Sequence, residues 1–247
     1  METINQNSDS QSAGGGVNRE HGRTIAQRWT FVGLHFGLVL FCAWLAVADG
    51  WTLIGQVFGQ QWTLVDNDRA LLMLACVFVY WLRHAITVLY LLQRRIDWGE
   101  ALGLLCFMAF FEIGLLLVGG GAFRSEVIPF GTLDIVALVL LAVGSYLNSG
   151  SEIQRKWWKQ NPANKGQCYT EGLFKYSMHI NYFGDVVLFT GWCLLSYNFW
   201  TLLLPFFMAY SFISFHIPAL DGYLSERYGE KFDQYSAKTK KLIPFVY

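Results

Sequence analysis

The sequence predicts an all-α, polytopic membrane helix bundle, and three observations carry that prediction. Apolar residues make up 54% of the 247 positions and charged residues only 15%, well below the roughly 25% usual in soluble domains. Apolar windows of about 20 residues, the length that crosses a bilayer, fall near 29–50, 70–92, 101–120, 130–147, 183–199 and 200–217. Lys and Arg alternate between dense and sparse loops, the asymmetry that orients a multi-pass chain.

The first 27 residues are rich in Ser, Asn, Gln and Gly and bury too little apolar surface to offset ordering entropy, so they read as a disordered tail. No apolar core with a cleavage site follows a basic start, so no removable signal peptide is expected. Arg19, Arg23 and Arg28 precede span one, Arg94 and Arg95 follow span two, and Arg155, Lys156, Lys159, Lys165 and Lys175 follow span four. Arg227, Lys231, Lys238, Lys240 and Lys241 follow span six, whereas the alternate loops hold only Arg69 and Arg124. That bias puts both termini in the cytoplasm. Spans five and six form a hairpin through Ser196-Tyr197-Asn198.

A formal net charge of zero gives no support to nucleic-acid binding. Cys42, Cys76, Cys106, Cys168 and Cys193 are scattered and suggest neither a disulfide framework nor a metal site. Gly119-Gly120-Gly121 lacks the flanks of a phosphate loop and reads as a turn. His35 and His216 read as satisfied core or interfacial imidazoles, Asp134 as a water-facing carboxylate at the outer end of span four, and most of the ten Trp as interfacial anchors.

The chain divides near Phe130. Residues 28–130 are mostly spans with short loops and are expected to enclose a substrate cavity, while 131–247 carry long polar and aromatic segments. Within the latter, His179-Ile-Asn181-Tyr182-Phe-Gly-Asp185 places four polar groups just before an apolar run. Such groups are costly at a helix mouth unless a ligand or partners satisfy them. Asn148, Glu152, Arg155 and Lys159 share one face if span four continues as a helix. That face can hold a phosphorylated cofactor or snorkel to anionic lipid headgroups. Leu220, Leu224, Tyr228, Phe232 and Tyr235 recur at helical spacing, giving an amphipathic C-terminal helix able to lie on the membrane face.

In the N-terminal half, Cys76, Tyr80, Arg83 and Thr87 form a polar stripe along span two beside His84. At 1.5 Å per residue, Arg83 lies about 16 Å from Arg94 and Glu112 about 18 Å from Glu100. Charges at similar depth on neighbouring helices are expensive in lipid unless paired. Arg83 and Glu112 are therefore expected to pair beside the cavity, with Tyr80 as proton donor; a pair that merely fixes helix register is the alternative.

The block Gly172-Leu-Phe-Lys-Tyr176-Ser-Met178-His179-Ile180-Asn181-Tyr182-Phe-Gly184-Asp185, with Tyr228-Gly229 and Leu242-Ile-Pro-Phe-Val-Tyr247, resembles the C-terminal domain of the steroid 5-alpha-reductase family. More narrowly it resembles the bacterial branch carrying the domain of unknown function 1295, over about residues 145–247. The superfamily also contains sterol reductases and isoprenylcysteine carboxyl methyltransferases. The resemblance implies an integral membrane reductase that uses NADPH on a lipophilic enone or steroid-like substrate, set in a bacterial inner membrane. Asn148, Glu152, Asn181, Asp185 and Tyr228 match cofactor contacts of the reductases, with Lys159 in place of an Arg. His179 matches an Arg-His-Pro-Asn-Tyr motif of the sterol reductases in which Met178 and Ile180 here replace Arg and Pro. The cofactor-binding set this gives is Arg94, Asn148, Glu152, Lys156, Lys159, Tyr176, His179, Asn181, Tyr182, Asp185, Asp221, Arg227 and Tyr228. Tyr80-x-x-Arg83 resembles a reductase Tyr-x-x-Arg whose Tyr bonds the substrate ketone, although no counterpart of its partner Glu is evident on the preceding helix.

Two alternatives stand beside reduction. One is methyl transfer from S-adenosylmethionine, although the methyltransferases carry a Glu pair where this chain has Leu220-Asp221. The other is a non-catalytic membrane binding protein that kept the fold and lost the reaction.

Overall fold

The computed structural model describes residues 20–22 and 24–247. Most of the expected disordered tail, with Arg19 and Arg23, lies outside the described residues. The rest of that segment is not loose: Glu20 and Gly22 pair with the 93–95 strip through Arg95 N–H to Glu20 O at 2.9 Å and Gly22 N–H to Gln93 O at 3.3 Å.

Eight helices occur among the described residues: α1 (Ile25–Val47), α2 (Gly50–Val57), α3 (Asn67–Leu91), α4 (Trp98–Gly119), α5 (Thr132–Gln160), α6 (Ile180–Leu195), α7 (Phe199–Tyr228) and α8 (Glu230–Ser236). Five of them, α1, α3, α4, α5 and α7, are long and apolar enough to cross a membrane. The sixth expected window is α6, a shorter apolar helix of 16 residues. The protein is an integral membrane helix bundle. The short α2 was not anticipated; Trp51 on it stacks on Trp62 at 4.6 Å.

Local chemistry sets the helix ends. Asp66 caps α3 by accepting from Arg69 N–H at 3.2 Å, satisfying a donor that a helix start leaves open. The glycine run after α4 is a turn, as expected, with Gly121 at φ 82° where a side chain is disfavoured. Three long helices widen to a π turn, at Thr87–Leu91, Tyr146–Gly150 and Phe212–His216. Such turns re-aim side chains and often mark functional regions. The expected amphipathic C-terminal helix is present in two pieces. α7 runs on to Tyr228 rather than stopping near 217, and Gly229 at φ 54° breaks it from α8.

The tightest crossing is α5 against α6. A Cβ on Gly144 would collide with the backbone of Leu188 and Gly184, and one on Gly184 with the backbone of Asn148 and Gly144. Small residues let membrane helices approach this closely. Behind the crossing, Tyr80, Phe111, Phe189 and Trp192 form a buried aromatic knot, with Tyr80 centroids 5.5, 5.6 and 5.3 Å from the other three.

The bundle end carrying the α3 start is closed by an ion network. Arg69, fully buried, donates to Asp134 Oδ1 at 2.5 Å and to the carbonyls of Ile128 and Leu195 at 3.0 Å. Arg124 donates to Asp66 Oδ2 at 2.7 Å, and Tyr197 O–H to Asp134 Oδ2 at 2.9 Å. The water-facing reading of Asp134 is thereby corrected: it is 4% exposed. Charges held at that depth require partners, and Arg69 and Arg124 supply them.

Candidate functional site

The site lies at the opposite, Lys- and Arg-rich end, where the π turns of α3 and α5 meet the start of α6. Both Arg83 Nη groups donate to Asp185 Oδ1, at 3.1 and 3.2 Å, and the guanidinium lies 4.9 Å from the Tyr80 ring centre. This corrects the expected Arg83–Glu112 pair. Glu112 turns instead to α1, where Oε1 stands 2.7 Å from His35 Nε2 with both side chains fully buried. The rise along a helix does not fix which way a side chain points around it. His35 is a partnered core imidazole, as expected, and His84 and Tyr80 pack around it with ring centres at 5.7 and 6.1 Å.

Asn148 sits in the wide turn of α5 and donates from Nδ2 to Asn181 O at 3.1 Å. The Asn181 side chain in turn donates to Glu152 Oε1 at 3.1 Å, and Glu152 also receives Arg155. The expected helical face from Asn148 to Lys159 is therefore real, and it meets the α6 mouth through Asn181. Each carboxylate at this junction thus has its own cation, Arg83 for Asp185 and Arg155 for Glu152.

His179 precedes α6, and the C-terminal strand of chain holds it in place. Met178 N–H donates to Lys240 O at 2.8 Å and His179 N–H to Lys241 O at 3.0 Å, while Ser177 Oγ donates to Leu242 O at 2.7 Å. His179 Nε2 lies 2.8 Å from Asp221 Oδ1, and Lys241 approaches the other Asp221 oxygen at 3.7 Å. Tyr182 stacks between His179 and Phe212, at 5.5 and 4.6 Å. Met178 is buried at 5% exposure, so the residue standing where related motifs have Arg serves packing here. Burial raises the Tyr235 phenol above its ordinary range, and its O–H donates to Phe174 O at 2.6 Å, pinning α8 under the loop.

The cations divide. Lys159 reaches the Tyr228 phenol at 3.4 Å from an exposed position, and Arg227 bonds Tyr223. Lys156 bonds Tyr90 O and lies over the Tyr90 ring, bridging α5 to α3. Arg94 is held by Glu100 and receives Arg28 on its carbonyl at 2.8 Å. These contacts lie at the α3–α4 corner. Tyr176 is 40% exposed and contacts Phe245 at 5.9 Å and Lys175.

A narrow crevice with room for about one water-sized group lies between this cluster and the aromatic knot, lined by Cys76, Val79, Tyr80 and Arg83 of α3, Leu141 and Ser145 of α5, and Leu188 and Trp192 of α6. Three members of the polar stripe on α3 thus face it. Thr87, the fourth, instead caps Arg83 O at 2.9 Å. Trp192 and the His35–Glu112 pair escaped the sequence reading. The alternation of His35 with apolar neighbours was the available signal for the pair, and Trp192 had none.

Parts of the chain are similar to known proteins. The chain is 36% identical over 90 residues to a probable O-methyltransferase (ustE) of Ustilaginoidea virens, covering 36% of this chain and 32% of that protein. It is 30% identical over 132 residues to a Delta(14)-sterol reductase (erg24) of Schizosaccharomyces pombe, covering 47% and 30%. It is 28% identical over 122 residues to a protein-S-isoprenylcysteine O-methyltransferase of the same yeast, covering 47% and 52%. The matched stretches span about half or less of these relatives' own length. The family model described as a protein of unknown function (DUF1295) matches residues 105–239. With more than half its length in that match, the chain belongs to the DUF1295 family.

Proposed function

We propose that this protein is a membrane reductase that uses NADPH to reduce the carbon–carbon double bond of a lipophilic enone. The observation that carries the reading is the joined cluster Arg83–Asp185, Asn148–Asn181–Glu152, set at the mouth of the Tyr80 crevice. A polar cradle and an apolar slot sharing one wall suit a water-soluble cofactor meeting a membrane-soluble substrate. By the positive-inside bias, the cradle faces the cytoplasm.

The donor set suits a dinucleotide. Asn148, Asn181 and Glu152 offer amide and carboxylate groups for ribose and base, and Lys159 and Arg227 hold only phenols that phosphate oxygens would outcompete. A phosphate-bearing cofactor uses those cations; a sulfonium cofactor has no need of them. When bound, NADPH supplies hydride to the β-carbon of the enone. Tyr80 donates a proton to the carbonyl oxygen, giving an enol that tautomerises to the saturated ketone, and Arg83 stands beside the phenol as negative charge develops. Asp185 holds the Arg83 fork in place, and the knot of Phe111, Phe189 and Trp192 keeps water from the reacting atoms.

Methyl transfer from S-adenosylmethionine is the second reading, favoured by the His179–Asp221 contact on the α7 side of the cluster and by the two methyltransferase relatives. Incubation of the purified protein with a long-chain cyclohexenone and NADPH decides between them. Reduction predicts loss of NADPH absorbance and a saturated ketone by mass. Methylation of an added prenylcysteine acceptor by S-adenosylmethionine, with no NADPH loss, would replace the reductase reading.

A further inference from the structure

Two buried N–H groups on crevice-lining side chains lack an acceptor: Trp192 Nε1 and Arg83 Nε. Both atoms can only donate, and a buried donor left unpaired is a cost that structures normally avoid. The other contributors, Cys76, Val79, Tyr80, Leu141, Ser145 and Leu188, offer mostly hydrocarbon, with a thiol and two hydroxyls. The crevice therefore asks for a ligand with an apolar body and at least one acceptor oxygen. Arg83 is already neutralised by Asp185, so an added carboxylate would bring an uncompensated charge into lipid depth. A neutral carbonyl brings none.

Trp192 lies seven residues beyond Asp185 on α6, about 10 Å deeper into the bundle, and its ring centre is 5.3 Å from that of Tyr80. We propose that the Trp192 indole N–H is the second hydrogen-bond donor, beside Tyr80, to the carbonyl oxygen of a neutral lipophilic ligand. Trp192 is thereby the residue that separates carbonyl-bearing from carbonyl-free hydrocarbons. This rests on the reading of the crevice as the substrate slot, and it adds the class of group bound there and the residue that selects it. The indole keeps its place through edge contacts with Phe111 and Tyr80, so W192F keeps an aromatic ring on this wall while removing the N–H and part of the ring area, a loss of packing that enone and alkene share.

The test is equilibrium binding to the full chain in lipid nanodiscs of three probes with one alkyl tail: an alkyl cyclohexenone, the matching alkylcyclohexene and the fatty carboxylate. The wild-type protein is expected to bind the enone about five- to tenfold more tightly than the alkene, the scale of one neutral hydrogen bond. W192F is expected to keep only the smaller enone preference that Tyr80 alone sustains. The comparison of probes on wild-type protein stands even if the variant does not fold. Equal or undetectable binding of enone and alkene to the wild type, tighter binding of the carboxylate than the enone, or an undiminished enone preference in W192F overturns the assignment. NADPH oxidation followed in the same samples keeps the two readings apart. Enone preference without oxidation removes the reductase and leaves Trp192, whereas oxidation with preference intact in W192F does the reverse.

Discussion

Arg83 on α3 and Asp185 on α6, 102 residues apart in sequence, meet at 3.1 Å with side chains 11% and 20% exposed. Removing one partner of so enclosed a pair strands the other charge, which costs ~3 kcal/mol, whereas replacing both with apolar residues is close to neutral. D185A is expected to lower the melting temperature in detergent markedly, and R83M/D185L to recover most of the loss. Equal destabilisation by the single and double variants would contradict a direct pair. Cofactor binding is expected to stay weak in both.

Tyr80 packs by its ring in the core, with the Arg83 guanidinium 4.9 Å from the ring centre. Tyr80→Phe keeps that packing with Phe111, Phe189 and Trp192 and removes the proton donor. Turnover is expected to fall about 100-fold or more with the NADPH dissociation constant unchanged. Steady-state rates beside a cofactor titration check this, and unchanged turnover removes Tyr80 from the chemistry.

Acid should loosen the far end of the bundle through Asp66. Burial alone would push its carboxyl up, but the N–H groups of Ile128 and Arg69 and the Arg124 guanidinium outweigh burial and hold it below the usual range. A carboxyl depressed in the folded state contributes stability that is complete above its unfolded value near pH 4. That contribution is lost as pH falls below that value through the folded one. Melting temperatures measured from pH 7 downward should drop for the wild type below about pH 4 and drop less for Asp66→Asn, which starts lower at neutral pH.

Glycine contacts set the α5–α6 spacing that brings Asn148 to Asn181. A methyl at Gly184 meets the Asn148 and Gly144 backbone, so Gly184→Ala must push the helices apart at ~1–3 kcal/mol. The expected result is reduced thermal stability together with weakened cofactor binding. Gly222→Ala, whose added methyl meets open space, is the control and should change neither.

The bundle was legible because apolar length is a local property: each of the six expected windows falls on a helix. Helical spacing was legible too, and it put Asn148 and Glu152 on the face that meets Asn181. Partners were not. Arg83 chose Asp185 over Glu112, and Asp134 chose Arg69 over water, because azimuth around a helix and the order of packing are set by contacts between distant segments. The docking of residues 240–242 on His179 and the π turn that turns Asn148 toward Asn181 depend on tertiary contact in the same way. The Arg94–Glu100 pair at the α3–α4 corner is likewise a partner choice that spacing alone did not reveal.

The most direct test of the account is a calorimetric titration of the purified chain with NADPH, NADH and S-adenosylmethionine, repeated on Asn181→Ala. The account predicts NADPH binding tighter than NADH, no S-adenosylmethionine binding, and a tenfold or greater loss of NADPH affinity in the variant, about the worth of one charge-assisted hydrogen bond. Binding of S-adenosylmethionine with none of NADPH would contradict it.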